Sequence, residues 1–238
     1  MGEIAEIKER VFNGTVPVRV SFDKLDIPLF FNVPRCITFG IFFHEKLQSE
    51  FGEKCDDFWM TSKGRYIQPN LPAGLIYDSF VEQISQFTIL QIDIKTTEFP
   101  LQDVLRCPTM LVAQQFFNHS FKESLFLQSG NLSLLTQSSN LPSNILETII
   151  NRKYPEFLEF YSQVEKNSSA WKLWPIKVMD RQGKVTNHFL PGDGENTLKD
   201  AINADKAIIQ GIEVDGNTPI KTLIPTLLYP DGFLYVVV

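Results

Sequence analysis

The sequence predicts an α+β chain in which two small sheet-and-helix domains flank a helix-rich one. Three observations carry that prediction. Residues 11–98 show period-two stretches with helical stripes between them, residues 99–168 are dominated by helical periodicity, and residues 169–238 return to the first pattern. The length of 238 residues allows one large domain or two to three small ones. Hydrophobic residues make up 43% and charged residues 21%, which suits a chain that buries a real core. The 20 phenylalanines are read first as members of that core.

Residues 1–10 form a charged N-terminal helix in which Ile4 and Ile7 fall at helical spacing, with Val11 next in the series. Val16 to Phe22 alternates apolar and polar side chains and predicts a half-buried strand. Leu29 to Val33 predicts a second strand that stops at Pro34, which has no N–H for a ladder. Phe39, Phe43, Leu47 and Phe51 recur every four residues, the stripe of a helix lying on a sheet. Ser62-Lys63-Gly64, inside Phe58 to Gln68, marks a hairpin turn. Pro72 opens a short helix through Tyr77 and Phe80, where its missing N–H costs nothing. Phe87 to Lys95 alternates again and predicts the last strand of this domain.

The helix-rich part begins after Pro100. Ala113, Phe117, Phe121 and Leu125 stripe its first helix. Gln128 to Ser143, rich in Ser, Asn and Gln, reads as a loop. Asn144 with Glu147 predicts a cap before Ile145, Ile149 and Ile150. Pro155 starts a further helix carrying Phe157, Leu158, Tyr161 and Val164, and Asn167-Ser168-Ser169 reads as a linker. Trp174 to Met179 and Lys184 to Leu190 then predict a hairpin around Arg181-Gln182-Gly183. Thr197 and Asp200 cap a helix over Leu198 to Ala204. Ala207 to Val214 predicts one strand, Asp215-Gly216 a turn, Leu223 to Leu228 a helical turn, and Phe233 to Val238 the closing strand. Strands, helix, strand is the β-grasp order of ubiquitin, read in residues 11–98 and again in residues 169–238. Domains of about 70 residues do fold alone.

The net charge of −6 argues against a general nucleic-acid binder, which needs a basic surface to displace counterions. Cys36, Cys55 and Cys107 are scattered, without CxxC spacing, and suit a reducing cytosol. No apolar signal segment is expected in Met1 to Arg10, no myristoyl signal at Gly2, and no membrane span in Leu29 to Phe43, which Asn32, Pro34, Arg35 and Gly40 interrupt. The sequons at Asn13, Asn118, Asn131 and Asn167 read as chance matches. A chain ending in Val236-Val237-Val238 is not expected to donate its own C-terminus to a conjugation, but a helix lysine such as Lys122 can accept one.

Six short stretches resemble one family in order along the chain. Val11 to Pro17 is similar to its opening strand entry, and Pro34-Arg35 follows its second strand. Pro72-Ala73-Gly74-Leu75-Ile76-Tyr77-Asp78 resembles its Pro-x-Gly-Leu-Leu-Phe-Asp segment, and Cys107-Pro108-Thr109 its Cys-Pro-Ser helix start. Phe121-Lys122-Glu123 resembles its Met-Lys-Glu conjugation site, and Leu228 to Leu234 its Ser-Tyr-Pro-Asp-Asn-Phe-Leu ending. The family is that of autophagy protein 5, and the compact length resembles fungal members. The resemblance implies two ubiquitin-like β-grasp domains flanking a helix-rich domain, without enzyme activity, cofactor or metal of the chain's own. It implies that Lys122 receives the C-terminal glycine of the ubiquitin-like autophagy protein 12 through an isopeptide bond, with activating and conjugating enzymes as transient partners. It further implies that the conjugate binds the N-terminal helix of the coiled-coil autophagy protein 16. That assembly promotes lipidation of autophagy protein 8 with phosphatidylethanolamine at the pre-autophagosomal membrane, as a peripheral, cytoplasmic complex. The polar Gln128 to Ser143 stretch departs from the animal pattern.

Other constellations are weighed beside Lys122. Phe121 faces the core, so Lys122 points about 100° away, at the edge of the stripe. Cys107 with His119 is a nucleophile-and-base reading, and a buried structural thiol is the alternative. His44 and His188 lack metal-ligand spacing, and Asp56-Asp57 and Asp193 to Glu195 lack that of a calcium loop. Gly192-Asp193-Gly194 reads as a turn, since a phosphate loop needs its lysine. Trp171 and Trp174 read as packing anchors, with a partner groove as the alternative. Arg152, Lys153 and Lys172 are the basic residues considered for a membrane contact, against the reading of a solvated surface.

Overall fold

Alternation decides the first sheet. Along β1 (Thr15–Phe22) and β5 (Leu90–Lys95) every second side chain is buried, and these two strands pair in parallel. β2 (Leu29–Pro34) pairs antiparallel with β1, and the hairpin β3 (Trp59–Ser62) and β4 (Arg65–Ile67) adds to the other side of β5. The order is therefore β2-β1-β5-β3-β4. The computed structural model describes residues 2–51, 57–81, 88–130, 133, 139–167 and 171–238. Helix α1 (Gly2–Asn13) precedes this sheet, α2 (Phe39–Phe51) and α3 (Ala73–Phe80) complete the unit, and Pro72 stands at the N-cap of α3 as its sequence position predicts.

The same plan recurs after the helical region, which holds α4 (Met110–Ser129), α5 (Leu141–Ile150) and α6 (Tyr154–Asn167). β6 (Leu173–Met179) and β7 (Val185–Pro191) form a hairpin, followed by α7 (Leu198–Ile202). A second hairpin, β8 (Lys206–Ile209) with β9 (Ile212–Asp215), leads to α8 (Ile220–Leu227) and β10 (Leu234–Val237). The order β7-β6-β10-β8-β9, with β6 and β10 parallel, repeats the first sheet strand for strand. Even the isolated bridges correspond: Thr38 with Pro72 and Thr197 with Pro219 each tie the entry of one helix to that of the next. Both units are β-grasp folds. All of β10 is buried, because its sheet is covered on both faces. One face packs on α7 and α8 through Ile176, Leu223 and Val236, and the other joins the main core through Met179, Tyr235 and Val237. Among the described residues no helix is long and apolar enough to cross a membrane.

Several boundaries differ from the sequence reading, each for a packing reason. Val11 to Asn13 belong to α1 rather than to a strand entry, since Phe12 is buried against Tyr154 and Phe157 with ring centroids 5.3 and 4.8 Å away. Gln128 and Ser129 extend α4, which ends at the left-handed Gly130, and Leu141 to Ser143 already belong to α5. Asn140, not Asn144, is the N-cap there; Pro142 in the first turn and the fully buried Leu141 start the helix earlier. Tyr154 rather than Pro155 begins α6, and α7 ends at Ile202 because Asn203 turns left-handed. Ala207 to Val214 is a hairpin and not one strand: Gln210 and Gly211 both take positive φ, as Lys63 and Gly64 do in the first sheet. The Thr197–Asp200 capping box is present as read. Cys55, Asp56, Glu82 to Phe87, Ser168 and Ser169, and the side chain of Phe51, lie outside the described residues.

Candidate functional site

The heptad-like line of α4 sets the geometry around Lys122. Phe117, Phe121 and Leu125 are buried in the main core. Beside them runs a polar line at every fourth residue. Ser120 donates to Asp231 Oδ2 at 2.7 Å, Ser124 to the Asp231 carbonyl, and Gln128 Nε2 to the Gly232 carbonyl at 2.9 Å. Asp231 also accepts the Tyr235 hydroxyl at 2.7 Å. Burial, reinforced by the Asp231 charge, pushes the Tyr235 phenol well above its ordinary value, so it stays a donor. Lys177 completes the clamp, lying 3.6 Å over the Phe233 ring and 3.5 Å from Glu123. α4 is thus fixed to the second sheet along one side. Lys122 falls about 200° round the helix from Ser120 and Ser124 and is exposed. An amine there is presented on a rigid support with its far side free for a second protein.

A second feature was not legible as a site. Where α1, α6 and α8 meet, a mostly apolar cavity of about 280 Å³ opens between the sheet domains and the helical region. Val11 and Phe12 come from α1, Tyr154, Leu158 and Tyr161 from α6, Trp171 from the segment before β6, and Ile224, Pro225 and Leu228 from α8 and its end. Leu158 keeps 37% exposure, large for a leucine beside a core. Trp171 lies tilted against Trp174, with ring centroids 5.1 Å apart. Trp171 therefore packs against Trp174 and also lines the cavity. The pieces lie up to 222 residues apart in sequence, from Lys8 to Pro230, so only the fold assembles them. The local signals that hinted at it were Pro225 within a helical pattern and Tyr229-Pro230 after it.

The remaining residues singled out from sequence are dispersed. Cys107 and His119 are not brought together: His119 is exposed on α4, whereas the ring beside Cys107 is His44, whose Nε2 is 2.7 Å from the Cys107 carbonyl and 3.8 Å from its sulfur. Burial pushes the Cys107 thiol up to about 12, and Cys36 likewise to about 12, values that suit structural thiols. His188 lies on β7 with its Nε2 3.1 Å from Thr186 Oγ1. Arg152 bonds the Asn32 carbonyl at 3.4 Å and Lys153 pairs with Glu156 at 3.3 Å, both at the turn between α5 and α6. Lys172 lies instead over Gly130, at the end of α4.

A family model described as "Autophagy protein ATG5, UblB domain" matches residues 66–238. "Autophagy protein 5" of Yarrowia lipolytica is 27% identical over 172 residues, spanning 62% of this chain and 66% of that protein, just under two thirds of its length. "Autophagy-related protein 5" of Caenorhabditis elegans is 22% identical over 269 residues, with 98% of this chain and 97% of that one covered. The crystal structure of Kluyveromyces marxianus Atg5 superposes with a TM-score of 0.82 at 19% identity, covering 100% of this chain and 99% of that one, and shows the same fold. The chain belongs to the autophagy protein 5 family, and its role is in autophagy.

Proposed function

We propose that this chain is the acceptor and scaffold of a ubiquitin-like conjugation. The observation that carries the reading is the exposed Lys122 on a helix clamped to the second sheet from the opposite side. The Lys122 amine attacks the thioester carbon at the C-terminal glycine of autophagy protein 12. The N–C bond forms, the C–S bond to the conjugating enzyme's cysteine breaks, and the amine gives up its proton as the thiolate leaves. The machinery for that step belongs to the conjugating enzyme, so this chain needs no nucleophile beyond the amine. Mapping the tryptic peptides of the reconstituted conjugate tests it: the branched peptide is expected to contain Lys122, and a branch at any other lysine contradicts it.

The apolar cavity supports a second, compatible role as an interaction adaptor. An amphipathic helix laid on Val11, Leu158, Trp171 and Ile224 would bury its apolar face there, and we assign this groove to the N-terminal helix of autophagy protein 16. In this account the complex acts from the cytoplasm as a peripheral membrane assembly that promotes lipidation of autophagy protein 8. The adaptor reading requires no modified lysine, so the two roles separate under Lys122→Arg.

A further inference from the structure

The two hairpin turns that carry Lys63-Gly64 and Arg181-Gln182-Gly183 belong to different sheets but meet over the C-terminal end of α3. Between them lies a cleft of about 520 Å³ lined by Lys63, Arg65, Arg181, Ser79 and Phe80. Arg65 bridges the sheets, its Nη1 donating to the Arg181 carbonyl and its Nη2 to Ser79 Oγ, both at 2.5 Å. Its guanidinium stacks 3.6 Å over the Phe80 ring, which fixes its plane. Arg181 Nη1 donates to the Asp78 and Val81 carbonyls at 3.2 and 2.6 Å, capping α3.

These bonds leave much of the donor capacity unused. A guanidinium carries five N–H groups, and the bonds just described engage two on each arginine. Among the described residues no carboxylate forms an ion pair with Lys63, Arg65 or Arg181. The nearest acidic group in effect, Asp180, spends its Oδ1 on the Gln182 and Lys184 N–H groups. Burial pulls the Arg65 guanidinium below its ordinary value; Asp180 opposes that shift and the Arg181 charge adds to it. Three cations are thus held together in a chain whose net charge is −6. Like charges so placed are relieved by an anion. Oriented guanidinium edges favour a planar fork of oxygens, and the flexible Lys63 ammonium adds a point charge.

We infer that this cleft is a binding site for a phosphomonoester, built from Lys63, Arg65 and Arg181 at the junction of the two sheets. The site is independent of Lys122 and of the apolar cavity. Calorimetric titration with inorganic phosphate tests it on the full chain. Saturable binding is expected, about tenfold weaker in Lys63→Gln, restored in Lys63→Arg and unchanged in Lys206→Gln, which removes the same charge elsewhere. Lys63 lies in an exposed turn, so its replacement leaves the packing of Arg65 and the cap on α3 in place. Phosphatidylcholine vesicles doped with phosphatidic acid or with phosphatidylserine identify the source. Lys63-dependent binding to phosphatidic acid alone, competed by phosphate, assigns a lipid headgroup. Phosphate binding without vesicle binding assigns a soluble or protein-borne phosphate. Absence of saturation by phosphate, or an equal loss in Lys206→Gln, overturns the proposal.

Discussion

Arg35 and Asp78 form a buried ion pair at 2.5 Å that also joins the two sheets, because the same carboxylate oxygen accepts the Gly211 N–H of the second hairpin turn at 2.9 Å. Burial opposes the charge on Arg35, and the Asp78 carboxylate together with Tyr229 and Cys36 more than offsets it, holding the guanidinium above its ordinary value. The turn presses close enough that a Cβ at Gly211 would lie 3.2 Å from Arg35 Nη1. Removing one partner of a buried pair strands the other charge. Asp78→Ala is therefore expected to cost about 3–5 kcal/mol in urea unfolding. A loss below about 1 kcal/mol would show that Arg35 finds water instead.

Gly232 sets the clamp on α4. Its φ of +84° is left-handed, and a Cβ there would lie 2.5 Å from Ser124 Oγ. Gly232→Ala is expected to destabilise the chain by about 1–3 kcal/mol and to raise hydrogen exchange along α4 near Ser124 and Gln128. Unchanged exchange there would mean that the helix is held by its apolar stripe alone.

Leu158 is an exposed apolar wall of the cavity. Leu158→Asp is expected to weaken binding of the partner helix by about 2 kcal/mol or more, read by fluorescence anisotropy, while conjugation at Lys122 proceeds. Retained helix binding would place the helix elsewhere.

The thiols offer a check on chemistry. With values near 12 for Cys36 and Cys107, about one thiol in ten thousand is ionised at pH 8. In a Cys55→Ser background, iodoacetamide is expected to label the native chain only as fast as it unfolds. Rapid labelling of Cys107 would reopen its reading as a nucleophile.

Asp200 gives a pH dependence of known sign. Hydrogen bonds from the Thr197 N–H and hydroxyl hold its carboxyl below the ordinary value of 3.8. The folded state thus binds this proton less tightly than the unfolded chain does. Its stabilising contribution is present above pH about 3.8 and is lost as pH falls through the folded-state value. The stability difference between wild type and Asp200→Asn should accordingly shrink in acid. A difference that grows as pH falls would reverse the assignment.

Local chemistry made much of this fold readable. Lys63-Gly64 announced the first hairpin, Pro72 the start of α3, and Thr197 with Asp200 the start of α7. The equivalent hairpin at Gln210-Gly211 was masked because Ile208-Ile209 and Ile212 keep an apolar run going through the turn. Nothing local marks Gln210 for its left-handed backbone, which the two-residue turn between Ile209 and Ile212 requires at both of its positions. The start of α5 was misplaced because Asn144 and Glu147 mimic a cap, although Pro142 was the better signal. Of the candidate features, the exposed position of Lys122 on α4 was legible through helical phase. The cavity and the cationic cleft were not, since both are made by elements that meet only after the sheets dock.

The central claim rests on one nitrogen. Wild type and Lys122→Arg are incubated with the modifier, activating enzyme and conjugating enzyme, and intact masses are compared. The account predicts a single added modifier on wild type and none on the variant, with partner-helix binding equal in both. Modification of the variant to the same extent as wild type would contradict it.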